Sequence, residues 1–346
     1  MIAHRFGESA PFSVGVEEEL MLVDAETLLL SPRVQELVAT ADGAALKTEL
    51  LAAVVESTTG VCETPAAALA ELRAGRAAAS AAAESLGLRI MAAGSHPLSP
   101  PEEQAVVPEE RYLAFVEYAG VSARFQGVNG LHVHVGVPDP EACYRALEGV
   151  LPWLPLLLAL SVNSPYFAGR ETGLLSNRAP VLAQLPRAGA PPPFGSYAEW
   201  EGWIERLGRL GVVADDTRIW WDIRPAPRFG TIEIRMPDQP TSVELSGAFA
   251  AVVQALCREA VDGELRVADR GDYLHNRWAA MRFGPAAELI HPDGDRVVLA
   301  SELGAELLDR LGLDGAFDPA RCEAELQLAA GLDGACADLV ERSLVC

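Results

Sequence analysis

The chain has 346 residues, half of them hydrophobic, and a mean hydropathy of +0.15. That is enough apolar surface to offset the entropy of ordering, so a disordered chain is excluded, and the length fits one large domain or two closely joined ones. Against 27 Lys+Arg stand 49 Asp+Glu, a formal charge of -22 that would repel a phosphate backbone and excludes a nucleic-acid binder.

Lys47 is the only lysine, and every other cationic side chain is arginine or histidine. Leu46 stands where a P-loop requires glycine, and Lys47 precedes a helix-like apolar stretch with no marker of Schiff-base activation. Cys62, Cys143, Cys257, Cys322, Cys336 and Cys346 show neither a Cys-x-x-Cys pair nor metal-ligand spacing, which fits core thiols of a reduced, cytoplasmic protein. The apolar run from Val150 to Val162 is too short to span a bilayer and holds Pro152 and Pro155; the N-terminus lacks a signal pattern. The expectation is a soluble, untargeted chain with no membrane partner.

In chain order, Phe12 to Val23 alternates as a strand, with Val14, Val16 and Glu18 on one face and Gly15, Glu17 and Glu19 on the other. Pro65 to Leu86 reads as a long alanine-rich helix stopped by Gly87, followed by a short strand from Leu88 to Ala93. Pro108 to Tyr118 is helical in pattern, and Val128 to Val137 alternates so that His132 and His134 share a strand face. Asp139 caps a helix running into the apolar 150s, Pro191 to Pro193 marks a loop, and Tyr197 to Leu210 is an amphipathic helix. Two strand-like runs, Arg218 to Ile223 and Gly230 to Arg235, flank a hairpin connection from Arg224 to Arg228. Thr241 starts a helix to about Val261, and the remainder from Asp269 is mostly helical. Long helices between strands, with a hairpin and no Gly-x-Gly-x-x-Gly turn, favour an α+β architecture.

Several groups could carry chemistry. Glu17 and Glu19, about 7 Å apart on one strand face, repel unless a hard cation such as Mg²⁺ or Mn²⁺ lies between them; the alternative is an exposed strand face. Glu49 and Glu56 fall on one face of a helix but on opposite faces of a strand unless a bulge intervenes, and the apolar filling between them implies burial. His132 and His134 have the spacing by which a strand presents two imidazoles to one metal or anion. Glu233 and Arg235 place an oxygen ligand beside a fixed cation, with Arg224 and Arg228 upstream; the alternative is a cross-strand salt bridge. Arg170 and Arg178 lie on a polar loop that could meet carboxylates or phosphates, and His96 in Gly94-Ser-His-Pro97 reads as structural.

In this order, Val14-Gly-Val-Glu-Glu-Glu-Leu20, Glu49 through Glu63, Gly94-Ser-His-Pro97, Gly130-Leu-His-Val-His-Val-Gly136, Ser164 to Gly173, and Trp221 to Asp238 resemble the glutamate–cysteine ligase type 2 family, the YbdK-like carboxylate-amine ligases related to glutamine synthetase. The resemblance is clearest over residues 12–285, within one catalytic domain spanning 1–346 whose residues 286–346 form a helical C-terminal extension. It implies an antiparallel sheet funnel with helices packed outside, ATP and substrates entering from opposite ends, and a dimer or larger assembly. It implies two divalent sites, Glu19, Glu49 and Glu56 around one ion and Glu17, His132 and Glu233 around the other. Arg235 would neutralise the transferring phosphoryl group, His134 would lie near the nucleotide phosphates, and Arg170, Arg178 and Arg224 would meet the substrate carboxylate or polyphosphate. The implied reaction phosphorylates a carboxylate such as the γ-carboxyl of glutamate with ATP, and an amine then displaces phosphate. No residue identifies cysteine as the acceptor. A metal-dependent amidohydrolase would use His132 and His134 but leaves Glu233-x-Arg235 unexplained, and a catalytically dead binding homologue would show gaps among the acids, of which there are none.

Overall fold

Alternation along the first apolar segment becomes strand β1, Val14–Asp24, whose Val14, Val16, Glu18 and Leu20 are buried while Gly15, Glu17 and Glu19 stay partly open. The computed structural model describes residues 2–41, 43–213 and 216–344; Cys346 lies outside them. Strands β2 (Leu46–Thr48), β3 (Val54–Thr58), β4 (Leu88–Met91), β5 (Leu131–Gly136), β6 (Ile223–Ala226) and β7 (Thr231–Ile234) join β1. Together they form a seven-stranded sheet in the order β6-β7-β5-β1-β3-β2, with β4 also paired to β1 and every pairing antiparallel. This is the expected α+β class.

One face of the sheet is apolar. Val14, Val16, Leu131, Val133, Val135, Ile232 and Ile234 pack with helices Pro140–Val150, Leu154–Ser161 and Val243–Asp262 in one core, and the far half of β1 joins β3 and β4 in a second. Helix Pro65–Ser85 forms where expected: Thr64 accepts from the Ala67 amide, Pro65 fills the first turn, and Leu72, Arg76, Ala79 and Ala83 make its buried stripe. Gly87 follows in the left-handed region, φ +71, closing the helix. Asp139 caps Pro140–Val150, accepting from the Ala142 amide at 2.8 Å. The described segment apolar enough to cross a membrane, Pro140–Ser161, is 78% buried inside the fold. The five described cysteines are free and buried.

Four expectations change. Residues 49–53 are a connection between β2 and β3, so Glu49 and Glu56 belong neither to one helix nor to one strand. The helix capped by Asp139 breaks into a 3-10 turn at Leu151–Trp153, where Pro152 lacks an amide hydrogen. Arg224 to Ala226 lie in β6 itself, and the turn is Pro227–Phe229; Pro225 is tolerated because β6 is an edge strand. The C-terminal segment contains a hairpin, Glu288–Ile290 with Val297–Leu299, whose three-residue strands are too short to give a periodic signal.

Candidate active site

Strand register assembles the site. Glu17 stands opposite His132, Glu19 opposite Glu56, Glu56 opposite Lys47, His134 opposite Glu233, and Glu233 opposite Arg224. Because side chains alternate with period two, these partners share the sheet face that is not the core, and Glu49 reaches it from the β2–β3 connection.

Glu233 is buried and held by two guanidiniums: Arg224 donates from Nε at 2.6 Å and Nη2 at 3.2 Å, and Arg235 Nη1 at 2.5 Å. Burial presses its carboxyl upward, but Arg224 and Arg235 hold it well below the ordinary range. Glu17 is likewise held down against burial, by His132 at 3.3 Å and His134 at 3.6 Å. At the other end the balance reverses. Burial and the neighbouring Glu19 and Glu56 push Glu49 up to about 8, and burial with Glu17 pushes Glu56 up to about 7 despite Lys47 Nζ at 3.2 Å. Burial lowers His132; for His134 burial is outweighed by Glu17 and Glu233, which raise it.

The donor set fits divalent cations. Ligand atoms of Glu17, His134 and Glu233 lie within 4.8 Å of one another, His132 Nε2 is buried with no hydrogen-bond partner, and Glu49 and Glu56 are crowded carboxylates lacking sufficient positive charge. His134, rather than the expected His132, thus shares a cluster with Glu17 and Glu233; its Nδ1 is oriented by Thr231 Oγ1 at 2.9 Å.

Two larger cavities meet at these groups. One, about 410 Å³, is lined by Glu19, Glu49, His132, Arg235 and Arg178 with Tyr112, Phe115 and Trp220. The other, about 500 Å³, is lined by Gly15, Glu17, Gly60, His134, Phe229 and Thr231. A cleft of about 240 Å³ between them carries Glu17, Glu19, Glu49, Glu56, Glu233, both histidines, Arg224, Arg235 and Lys47.

Two expected arginines have different positions. Arg170 is exposed on the two-residue strand Arg170–Glu171 and lines none of these cavities, because Tyr166–Phe167 pairs with it in a separate small hairpin. Arg178 borders the first cavity, but its guanidinium donates to the Arg235 and Met236 carbonyls at 2.9 and 3.1 Å, fixing the segment that carries Arg235. Gly130 gives the guanidinium its room, since a Cβ there would lie 2.1 Å from Arg178 Nη2 and displace it. Sequence reasoning missed Lys47, Arg111, Tyr112, Arg218 and Trp220 as cavity residues; no spacing marks them, since separate elements bring them together. His96 is structural: Nε2 donates to the Leu28 carbonyl and Nδ1 accepts from the Leu98 and Ser99 amides.

The profile described as glutamate-cysteine ligase family 2 matches residues 13–336. The chain belongs to that family. Among relatives of this family 2 ligase, a Rubrobacter xylanophilus protein provisionally named glutamate–cysteine ligase 2-3 is 42% identical over 330 residues, 93% of this chain and 89% of the relative. A Herpetosiphon aurantiacus protein provisionally named glutamate–cysteine ligase 2 is 36% identical over 323 residues, 89% and 84% of the two chains. In fold, the family 2 ligase is similar to a glutamate–cysteine ligase from Francisella tularensis solved with AMP, TM-score 0.70 at 15% identity, covering 97% of this chain and 88% of that one. Membership makes the protein a carbon–nitrogen ligase, the reaction class the motifs implied.

Proposed function

We propose that this family 2 ligase uses ATP to join a glutamate-like γ-carboxyl to an amine through an acyl phosphate. The observation that carries the reading is the cleft in which five glutamates and two histidines face Arg224 and Arg235 between two cavities. Glu19, Glu49 and Glu56 would hold one divalent ion, Mg²⁺ or Mn²⁺, and Glu17, Glu233 and His134 a second, with His132 between the sets. Such ions, when bound, offset polyphosphate charge and polarise the bond to the transferred phosphoryl group.

The residues themselves divide the work. Arg235, fixed through Glu233 and through Arg178 on its carbonyl, presents guanidinium charge to the phosphoryl group as it passes from ADP to the carboxylate oxygen. The nucleotide occupies the larger cavity, where Phe229 offers a ring to the base; the carboxylate and amine occupy the cavity lined by Arg111, Arg218, Phe115 and Trp220. The amine nitrogen then bonds to the acyl carbon, phosphate leaves with its electron pair, and the nitrogen loses a proton. We place the enzyme in the cytoplasm as a homodimer or larger assembly; exposed Leu274 and Trp278, one turn apart on helix Arg270–Phe283, supply an apolar contact face.

The test is mass spectrometry of products after incubating purified protein with Mg²⁺, ATP, glutamate and pooled amino acids and amines. Amide products with stoichiometric ADP and phosphate are expected. Absence of ADP and phosphate release with every amine would refute the reading.

A further inference from the structure

The single lysine of this chain stands in the cleft. Lys47 is opposite Glu56 in the β2–β3 register, its Nζ lies 3.2 Å from Glu56 Oε1, and it lines both the cleft and the larger cavity. Other cations nearby are engaged elsewhere. Arg224 and Arg235 grip Glu233, Arg178 grips two carbonyls, and the Arg228 guanidinium lies 4.7 Å from the Phe229 ring centre. Lys47 makes one hydrogen bond among the described residues, and its side chain is 56% exposed.

Resting on the ligase reading, we propose that Lys47 is a phosphate-binding residue of the nucleotide cavity, its ammonium resting on Glu56 when the cleft is empty and moving to the nucleotide's terminal phosphates when a divalent cation takes that carboxylate. A divalent ion on Glu56 and an ammonium on the same carboxylate repel each other, and the free side of Lys47 opens onto the larger cavity. A compact ammonium on a four-carbon stem can make that exchange; a guanidinium fork, which fits one planar partner, is suited to the fixed roles of Arg224 and Arg235.

Because Lys47 is the only lysine, the intact chain reports on itself. Full-length protein is acetylated with an amine-reactive N-hydroxysuccinimide ester, and the Lys47 peptide is quantified by mass spectrometry. Mn²⁺ alone is expected to speed acetylation, and Mn²⁺ with the non-hydrolysable analogue AMPPNP to slow it about tenfold. By calorimetry, Lys47→Met should weaken AMPPNP binding about tenfold and leave adenosine binding unchanged, with Lys47→Arg in between. If wild type binds AMPPNP yet Lys47 acetylates equally with and without it, or if Lys47→Met binds AMPPNP as wild type does, the lysine role is wrong and the ligase reading stands. If wild type with Mn²⁺ binds no nucleotide, both fall.

Discussion

At the scale of single residues, the cleft holds its acids in two electrostatic states. Arginines and histidines keep Glu17 and Glu233 ionised, whereas Glu49 and Glu56 await positive charge. The folded carboxyls of Glu49 and Glu56 lie above the ordinary value of 4.5, so the folded chain binds more protons than the unfolded one from there up to about 8. Their contribution therefore lowers stability as pH rises through that window. A divalent ion that takes these carboxylates displaces the protons, so the melting-temperature gap between Mn²⁺-loaded and metal-free protein should widen from about pH 5 to about pH 8, with proton release on binding seen by calorimetry. A gap independent of pH would contradict this. Glu233→Gln should lower kcat by about a thousandfold with an unchanged circular-dichroism spectrum, since it loosens Arg224 and Arg235 together; an active variant would remove it from the site. Glu17, Glu19, His132, His134, Glu233 and Arg235 were legible because alternation alone puts each pair on one strand face. Glu49 was indicated by the family resemblance and not by alternation, because its position depends on a turn.

At the scale of elements, the face opposite the site is pinned by a polar rivet inside the core. Glu18, between the two glutamates of β1, is fully buried and bonded to Arg76 at 2.6 and 2.7 Å, to Ser246 Oγ and to Gln239 Nε2, while Gln239 Oε1 accepts from the Glu19 amide. The pair ties β1 to helix Pro65–Ser85 and thereby sets where Glu17 and Glu19 sit. Arg76→Met should cost about 3–5 kcal/mol in chemical denaturation, because it leaves a buried carboxylate unpaired, and Arg76→Met with Glu18→Leu should recover part of that. Gly94 plays a similar locating role: a Cβ there would meet Asp238 Oδ2 at 2.7 Å, and Asp238 accepts from Asn163 N, Ser164 Oγ and Ser176 Oγ. Gly94→Ala should cost about 1–3 kcal/mol, measured the same way.

At the scale of the whole molecule, residues beyond 286 take part in the core. Glu323 accepts from the Thr241 and Ser242 amides, Gln327 donates to Asn163, and Ser343 Oγ accepts from the Ala92 amide. Removing residues 318–346, and with them helix Glu323–Ser343, would leave these buried groups unpaired, so the truncated chain should lose its cooperative thermal transition; one that melts as the full chain does would show this helix to be dispensable. The family match to residue 336 agrees with that involvement, although no motif there was legible.

Local periodicity carried the strands, the long helix and the Glu17–Glu19, His132–His134 and Glu233–Arg235 pairs, because each depends on neighbours a few residues apart; the ordered motifs carried the family resemblance and, with it, Glu49 and Glu56. Tertiary structure alone decided the partners: which histidine joins Glu17 and Glu233, that Arg170 lies outside the cavities, that Arg178 supports Arg235, and that Lys47 faces Glu56. Those outcomes follow from strand register and turn length, which join residues far apart in the chain and leave no period within it. The charge of -22 marks the same division: composition counts the acids, and the fold brings five of the glutamates to one cleft.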